Sequence, residues 1–250
     1  MSGHSKWNSI KHKKAAKDAK RGKLFNKLIK EISVAARLGG GDVSANPRLR
    51  SAVLAARASS MPSDTIERAV KKGAGDLDGV EYVDVTYEGY GPGGMAIMLE
   101  CLTDNRNRTV AEIRSLFSKN SGHMAEAGSV SWIFERSGHL RVPLAAGVTE
   151  TTVFEAAVEA GASDIGEEEG SLVVTTPPER LEAVRVALTE AGIAVDSADV
   201  ILQPKTYVTL HGGDAAQALR LLEALEDHDD VQKVSANFDI DDEELKRLSA

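Results

Sequence analysis

The side chains best suited to bind a ligand are the basic residues near the N-terminus. Ten lysines and arginines fall between Lys6 and Lys30, and only Asp18 opposes them. So many positive charges close together repel one another in the free protein. They become favourable when binding to a phosphate backbone releases counterions. Aromatic side chains among the lysines can stack on unpaired bases. The predicted nucleic-acid-binding residues of this segment are Lys6, Trp7, Lys11, His12, Lys13, Lys14, Lys17, Lys20, Arg21 and Lys23.

Two other interpretations of this basic segment are a solvated helix face and a mitochondrial presequence. A solvated helix is normally laced with acidic partners, which this segment lacks. Presequences are rich in Arg and Ser, whereas lysine predominates here. Residues 1–75 hold 17 basic and 5 acidic side chains, although the whole chain carries a net charge of −8. Because salt screens charges beyond about 8 Å, the local excess of positive charge favours a polyanionic partner.

A glycine-rich stretch, Gly-Tyr-Gly-Pro-Gly-Gly at 89–94, follows a predicted strand. It satisfies G-x-G-x-x-G formally, but a dinucleotide motif opens a helix, and apolar strand residues follow here. We therefore expect a tight hairpin turn. Such a turn, poor in side chains, also lets a nucleic-acid backbone approach closely, which makes Gly91, Gly93 and Gly94 candidate contact residues.

A polar segment, Thr-Asp-Asn-Arg-Asn-Arg-Thr at 103–109, joins a predicted strand to a predicted helix. One interpretation is a helix cap, because Asn and Thr side chains accept hydrogen bonds from the first helical amides. The other is a phosphate or base-edge site at the helix N-terminus, formed by Arg106 and Arg108. The two interpretations are compatible with each other.

Residues that could support catalysis or bind a cofactor are scarce. The six histidines and the single Cys101 show no metal-ligand spacing, and neither a P-loop nor a nucleophile elbow is present. We expect no cofactor, no metal and no enzymatic activity. An enzyme acting on nucleic acid, the rival hypothesis, would depend on Asp104 and Glu88. A single cysteine fits a cytoplasmic protein, and no apolar run reaches the length of a membrane span.

The N-terminal part of the chain has the pattern of a basic helical domain. Residues 1–23 are nearly free of large apolar side chains, so we expect a mobile arm that orders on binding. Apolar residues then recur at helical spacing from Leu24 to Ala36. Asn46 predicts the start of a second helix. Asp64 predicts the cap of a third, which should end just before Gly73.

Strand patterns replace helical ones from about residue 80. Val83, Val85 and Tyr87 alternate with polar residues, and a further strand is predicted at Val130–Phe134. Residues 137–203 follow the βαββαβ order of a ferredoxin-like sandwich.

The predicted fold class is therefore α+β with three domains. The first is the basic helical domain at 1–75. The other two are ferredoxin-like α/β domains, and one is inserted in the other. Residues 80–135 plus 204–240 form the discontinuous domain, and the acidic residues 137–203 form the insert.

Five motifs closely resemble those of the YebC family, also called YebC/PmpR, and the resemblance covers essentially the whole chain. The opening reads Gly-His-Ser-Lys-Trp, and a second motif runs from Met-Pro through Arg-Ala-Val-Lys-Lys-Gly. The chain departs from the family pattern at Ser60, where Asn is usual, and at 121–127, which is usually richer in glycine. The five matching segments are 3–23, 61–73, 87–94, 102–109 and 128–130.

The resemblance implies a cytoplasmic, DNA-binding regulator of transcription. Other family members, including mitochondrial ones, resemble translation factors that act on ribosomes stalled at proline-rich stretches. The basic arm lacks a recognition helix with an obvious reading face, which on physical grounds favours ribosomal RNA. A third hypothesis is a protein adaptor in which residues 137–203, with 3 basic and 12 acidic side chains, face a basic protein partner. No membrane partner is expected.

Overall fold

The computed structural model describes most of the chain beyond the basic arm. The described residues form two compact units, each assembled from separate stretches of sequence. Within the described ranges, no helix has both the length and the apolar character needed to cross a membrane. The ranges that the structure describes are 17–75, 81–145, 147–168 and 170–249.

The two units divide the chain differently from the predicted domains. The second unit joins most of the N-terminal helices to the acidic segment, whereas the rest of the chain belongs to the first unit. The division into three domains therefore stays a prediction. The first unit contains the described residues of Met1–Lys27, Asp78–Glu135 and Gln203–Ala250, and the second those of Leu28–Leu77 and Arg136–Leu202.

Between residues 17 and 75, which the structure describes, the N-terminal part forms three helices: α1 (Lys17–Gly39), α2 (Pro47–Ala58) and α3 (Ser63–Ala74). The predicted start of α2 is confirmed, because the Asn46 side chain accepts a hydrogen bond from the Leu49 amide at 3.1 Å.

The helix α1 begins before the predicted end of the arm. Residues 1–16 lie outside the described residues, but residues 17–23 are already helical. They extend a helix that is packed further along, at Ile32, which is fully buried. Extending an existing helix adds a hydrogen bond per residue without a new nucleus, so this polar stretch can be helical.

Two predictions for α3 were wrong. No side chain caps the helix, and Asp64 lies in its first turn, because the Pro62 carbonyl accepts from the Thr65 amide at 2.9 Å. Gly73 lies inside the helix rather than beyond it. It is buried, and a Cβ there would stand 2.2 Å from the Ser33 carbonyl oxygen of α1. Close packing of two helices, and not a helix end, requires this glycine.

The rest of the chain alternates strands and helices, most of them in antiparallel sheets. In chain order the elements are β1 (Val83–Tyr90), β2 (Ala96–Thr103), α4 (Arg106–Lys119), β3 (His123–Ala125), β4 (Phe134–Pro143), α5 (Glu150–Ala157), β5 (Asp164–Glu168), β6 (Ser171–Thr176), α6 (Leu181–Glu190), β7 (Ser197–Pro204), β8 (Val208–Thr209), α7 (Gly212–Glu226), β9 (Val231–Ala236), β10 (Phe238–Asp239) and α8 (Asp242–Ser249).

In the first unit, four antiparallel strands lie in the order β3-β1-β2-β9. Helices α4 and α7 pack on this sheet, and Leu99, Phe117 and Leu222 are fully buried in the shared core. The short strands β8 and β10 pair in parallel beside them. Here two strands, β1 and β2, precede the first helix, α4. In the sheet of the second unit, one strand, β4, precedes the first helix, α5.

In the second unit, the strands lie in the order β5-β6-β4-β7 and the elements follow the predicted βαββαβ sequence. Leu140, Val174 and Leu188 are fully buried between this sheet and helices α5 and α6. The α2 helix belongs to the same unit, where the Ser51 hydroxyl donates to the Ala198 carbonyl at 2.9 Å. The predicted ferredoxin-like arrangement of this segment is confirmed.

The strand predicted at Val130–Phe134 was wrong. A short 3₁₀ helix, Ser131–Ile133, occupies most of it, and β4 begins only at Phe134. Val130, Ile133 and Phe134 of this stretch are buried, whereas Trp132 is exposed. The three-residue strand β3 was not predicted, since three residues are too few to show a two-residue period.

Candidate nucleic-acid interface

The loop at 226–230, between α7 and β9, binds the beginning of α1. The Lys27 ammonium donates to the Glu226 carbonyl at 2.5 Å, and the Lys23 ammonium donates to the Asp227 carbonyl at 3.2 Å. The Asp227 carboxylate lies 4.0 Å from the same lysine. Carbonyls at the C-terminal end of a helix lack intrahelical partners and carry partial negative charge, so they suit lysine side chains. The end of α7 thus anchors the root of the basic segment.

The same loop anchors the beginning of α4 through Asp230, which is buried. One oxygen of its carboxylate accepts from the Thr109 hydroxyl at 2.8 Å, the Thr103 hydroxyl at 3.2 Å and the Arg108 guanidinium at 2.7 Å. Arg108 also donates to the Asp104 carboxylate at 2.9 Å. The hydrogen bond to Asp230 raises the pKa of Arg108 further above its usual value. Arg108 is thus held inside the protein's own network.

The polar segment at 103–109 forms the capped N-terminus of α4. The Asn105 side chain accepts from the Arg108 amide at 3.1 Å, and the Asn105 amide donates to the Thr103 hydroxyl at 2.9 Å. The cap interpretation is confirmed. Arg106 is exposed, and no carboxylate among the described residues forms an ion pair with it. Of the two arginines, Arg106 is therefore the one whose charge faces solvent unpaired.

His228 completes the attachment of this loop to α4. Its Nδ1 accepts from the Asp230 amide at 3.1 Å, so Nε2 carries the proton and donates to Glu112, 2.9 Å away. The loop 226–230 therefore binds both basic elements that the sequence singled out, the root of the arm and the N-terminal turn of α4. Its sequence, Glu-Asp-His-Asp-Asp, reads as a solvated acidic run, and nothing in it predicted this role.

The structure places the predicted site residues unevenly. The Arg21 guanidinium lies over the Phe25 ring, 5.2 Å from its centroid, and Lys23 binds Asp227 as described. Lys17 and Lys20 lie in the first turns of α1. The remaining predicted contacts of the arm lie outside the described residues: Lys6, Trp7, Lys11, His12, Lys13 and Lys14.

The glycine-rich turn between β1 and β2 is a hairpin turn, as expected. Gly91 is buried, and a Cβ there would stand 2.6 Å from the terminal methyl of Met95 and 3.2 Å from the Ile97 side chain, so a larger residue would force these side chains to shift. Gly93 and Gly94 are exposed, with φ of +65° and +78°. Their predicted approach to a nucleic-acid backbone stays a prediction.

Glu88 is a buried carboxylate that the alternating pattern of β1 had placed on the solvent side. Its two oxygens accept from the Gly128 amide at 2.8 Å, the Val130 amide at 2.7 Å and the Ser131 amide at 3.1 Å. The turn at 128–131 covers this face of the strand, which ends the alternation. Because three amides engage Glu88 and Arg108 engages Asp104, both acids of the rival enzyme hypothesis have structural roles. Among the described residues, no group of three His, Cys, Asp or Glu side chains is placed to hold a metal ion.

The fold and these contacts define an α+β protein in which one loop fixes the root of a basic helical segment beside a capped helix N-terminus. Two family models match the chain. The TACO1/YebC N-terminal domain matches residues 5–76, and the TACO1/YebC second and third domain matches residues 82–238. The chain belongs to the TACO1/YebC family.

Relatives match over the full length of the chain. A probable transcriptional regulatory protein of Geobacter sulfurreducens is 55% identical over 99% of this chain and 100% of the relative. A protein of the same description from Desulfotalea psychrophila is 55% identical over 100% of both chains. The crystal structure of a conserved hypothetical protein from Aquifex aeolicus is 46% identical, covers 90% of this chain and 93% of its own, and superposes with a TM-score of 0.81.

Proposed function

We propose that this chain is a non-enzymatic, cytoplasmic regulator of gene expression that binds nucleic acid through the basic segment at residues 4–30. Phosphate contacts from the arm and from Arg106 supply the affinity. Lys23, Lys27 and Arg108 position these elements rather than contact the ligand. The observation that carries the proposal is the loop 226–230, which binds Lys23 on one side and Arg108 on the other. The relatives named probable transcriptional regulatory proteins support the same function.

Duplex DNA is the ligand expected of a transcriptional regulator, and ribosomal RNA is the alternative. One observation favours RNA. A recognition helix must keep one long face free for the major groove, whereas Ile32, Val34, Ala35 and Ala36 of α1 are all buried. Residues 32–36 of α1 therefore cannot serve as a recognition helix. Among the α1 side chains that the structure describes, the exposed part that belongs to the basic segment includes only residues 21–24 as a continuous stretch. Structured RNA with splayed bases can be bound without such a helix.

The test is binding to purified ribosomes by co-sedimentation and to duplex DNA by fluorescence anisotropy, each across a salt series. We expect ribosome retention at physiological salt that is lost when Lys11, Lys13 and Lys14 are changed to glutamate. The matched control changes the same number of exposed basic residues outside the basic domain, Arg114, Lys119 and Arg220, to glutamate. Each phosphate contact that is removed should flatten the slope of log K against log salt by about 0.7–0.9.

The outcomes separate the hypotheses. Tight binding to one duplex sequence over random DNA, without ribosome binding, would establish the transcriptional function and refute the RNA alternative. Equal loss in the arm variant and the control would contradict the proposed role of the arm. Asp104→Asn should leave binding intact, whereas the enzyme hypothesis predicts lost activity. A basic protein partner for residues 137–203 stays a prediction, and an adaptor of that kind would keep working after deletion of residues 2–23.

A further inference from the structure

A large aromatic side chain stands in solvent on the turn that follows β3. Trp132 is 67% exposed, although the first unit has a well-packed core that buries Phe117 and Phe238 completely. Exposing an indole to water forfeits the stabilisation that burying its apolar area would give. Burial in the core therefore does not explain tryptophan at this position.

Hydrogen bonds to Glu88 hold the turn that carries Trp132 in one conformation. The buried Glu88 carboxylate accepts hydrogen bonds from three of its amides, the last of them that of Ser131. The Ser129 carbonyl accepts from the Trp132 indole at 3.0 Å and from the Tyr90 hydroxyl at 3.1 Å. The indole is therefore oriented before any ligand arrives, and binding would cost little side-chain entropy.

The neighbourhood of the turn offers a cation and a second aromatic ring. The Ile133 carbonyl accepts from the Lys205 amide at 2.9 Å, which places the exposed Lys205 beside the turn within the same unit. Tyr207, 44% exposed, follows two residues later, at most about 7 Å further along the chain. Exposed aromatic rings next to a cation are the groups that bind single-stranded nucleic acid, where bases stack on rings and the cation meets phosphate.

We propose that Trp132 is a stacking platform for an unpaired nucleobase and that Lys205 pairs with the adjacent phosphate. The inference rests on the proposed function and adds that the ligand includes a single-stranded stretch. A base inside a duplex is already stacked on both faces, and it would have to leave the helix to reach the indole.

The experiment measures the anisotropy of a fluorescein-labelled 15-nucleotide oligouridylate and of a blunt RNA duplex with the same number of base pairs. The full chain is compared with Trp132→Ala, Trp132→Phe and Phe154→Ala. Phe154 is 53% exposed on α5 and serves as the matched control for loss of an exposed aromatic side chain. We expect Trp132→Ala to weaken binding of the single strand by about 5- to 150-fold, the effect of one lost stack. Its duplex affinity and salt slope should not change, because no phosphate contact is removed.

Trp132→Phe should retain most of the single-strand affinity, since a phenyl ring still stacks, and Phe154→Ala should bind as the full chain does. Unchanged single-strand affinity in Trp132→Ala would overturn the inference and point to a protein partner for the indole. An equal loss in Phe154→Ala would overturn it as well. Failure of the full chain to bind both of these RNAs and duplex DNA would instead contradict the proposed function, which distinguishes the two failures.

Discussion

Asp230 shows how a single buried carboxylate can decide which basic residues are free to bind a ligand. Its oxygen binds Arg108 and two threonine hydroxyls, so an arginine that the sequence offers as a phosphate contact is occupied by the protein itself. Arg106, one helical position from the Asn105 cap, has no such partner among the described residues. One internal ion pair therefore distinguishes two arginines of identical chemistry, because Arg108 is bound within the protein and Arg106 is exposed.

We expect Asp230→Ala to lower the free energy of unfolding by about 1–3 kcal/mol, because the buried Thr103 and Thr109 hydroxyls lose their shared acceptor. Urea denaturation measures this change. The control is Asp104→Ala, which removes the other, more exposed partner of Arg108 and should change stability by less than about 0.5 kcal/mol. Equal effects of the two substitutions would show that the buried network contributes nothing beyond a surface ion pair.

Among the elements, α1 and α3 depend on a glycine for their contact. At Gly73 a Cβ would stand 2.2 Å from a backbone oxygen of α1, which cannot move aside as a side chain could. We expect Gly73→Ala to lower the free energy of unfolding by about 1–3 kcal/mol through this overlap. Thermal and urea unfolding measure the effect.

The matched control is Gly22→Ala in α1, where a Cβ meets no atom within 4 Å. Alanine is the better helix former, so this substitution should stabilise the helix by about 0.5–1 kcal/mol. Destabilisation by both substitutions would contradict the close-packing explanation of Gly73, because alanine at Gly22 meets no neighbouring atom.

The N-terminus of α7 gives a prediction about pH. The Gly212 amide donates to the Glu244 carboxylate at 2.5 Å, and this hydrogen bond is the main reason that the pKa of Glu244 lies below its usual value. A lowered pKa means that the ionised carboxylate stabilises the fold above about pH 4.3, the ordinary pKa of glutamate. The stabilisation is lost as the pH falls through the lowered, folded-state pKa.

Melting temperatures of the full chain and of Glu244→Gln should therefore differ at pH 7 and converge below pH 4. Arg247→Gln, which removes a weaker contributor to the same shift, should give a smaller difference. A difference that persists unchanged at low pH would show that the carboxylate acts through packing rather than charge.

On the scale of the whole molecule, charge is separated along the chain. The protein carries a net charge of −8 but concentrates its basic residues near the N-terminus. We expect the full chain to be retained both on heparin and on an anion exchanger. Heparin binds the positive field of the N-terminal segment, and the anion exchanger binds the negative field of the rest of the chain. Deletion of residues 2–16 removes four of the ten basic residues between Lys6 and Lys30, so it should weaken heparin retention and strengthen retention on the anion exchanger. Unchanged heparin retention would contradict the assignment of polyanion binding to the arm.

The regular elements were largely predictable from sequence, because helical and strand periods are set by local burial. The order of elements in residues 137–203 and the caps at Asn46 and Asn105 followed from pattern and residue type. Glu88 and Gly73 were misread, because their burial depends on segments far away in sequence. The anchoring role of the loop 226–230 could not be predicted from sequence either, because its partners lie about 120 and 200 residues away.

Those sequence separations have a consequence for synthesis. The lysines of α1 leave the ribosome early, but the carbonyls that anchor Lys23 and Lys27 lie 204 and 199 residues further along the chain. The strand β9, which pairs with β2, is also among the last elements to be translated. A nascent chain therefore carries an unanchored cationic segment until the loop 226–230 has been translated. Premature termination before this loop leaves a product that has the basic segment but lacks the groups that anchor it.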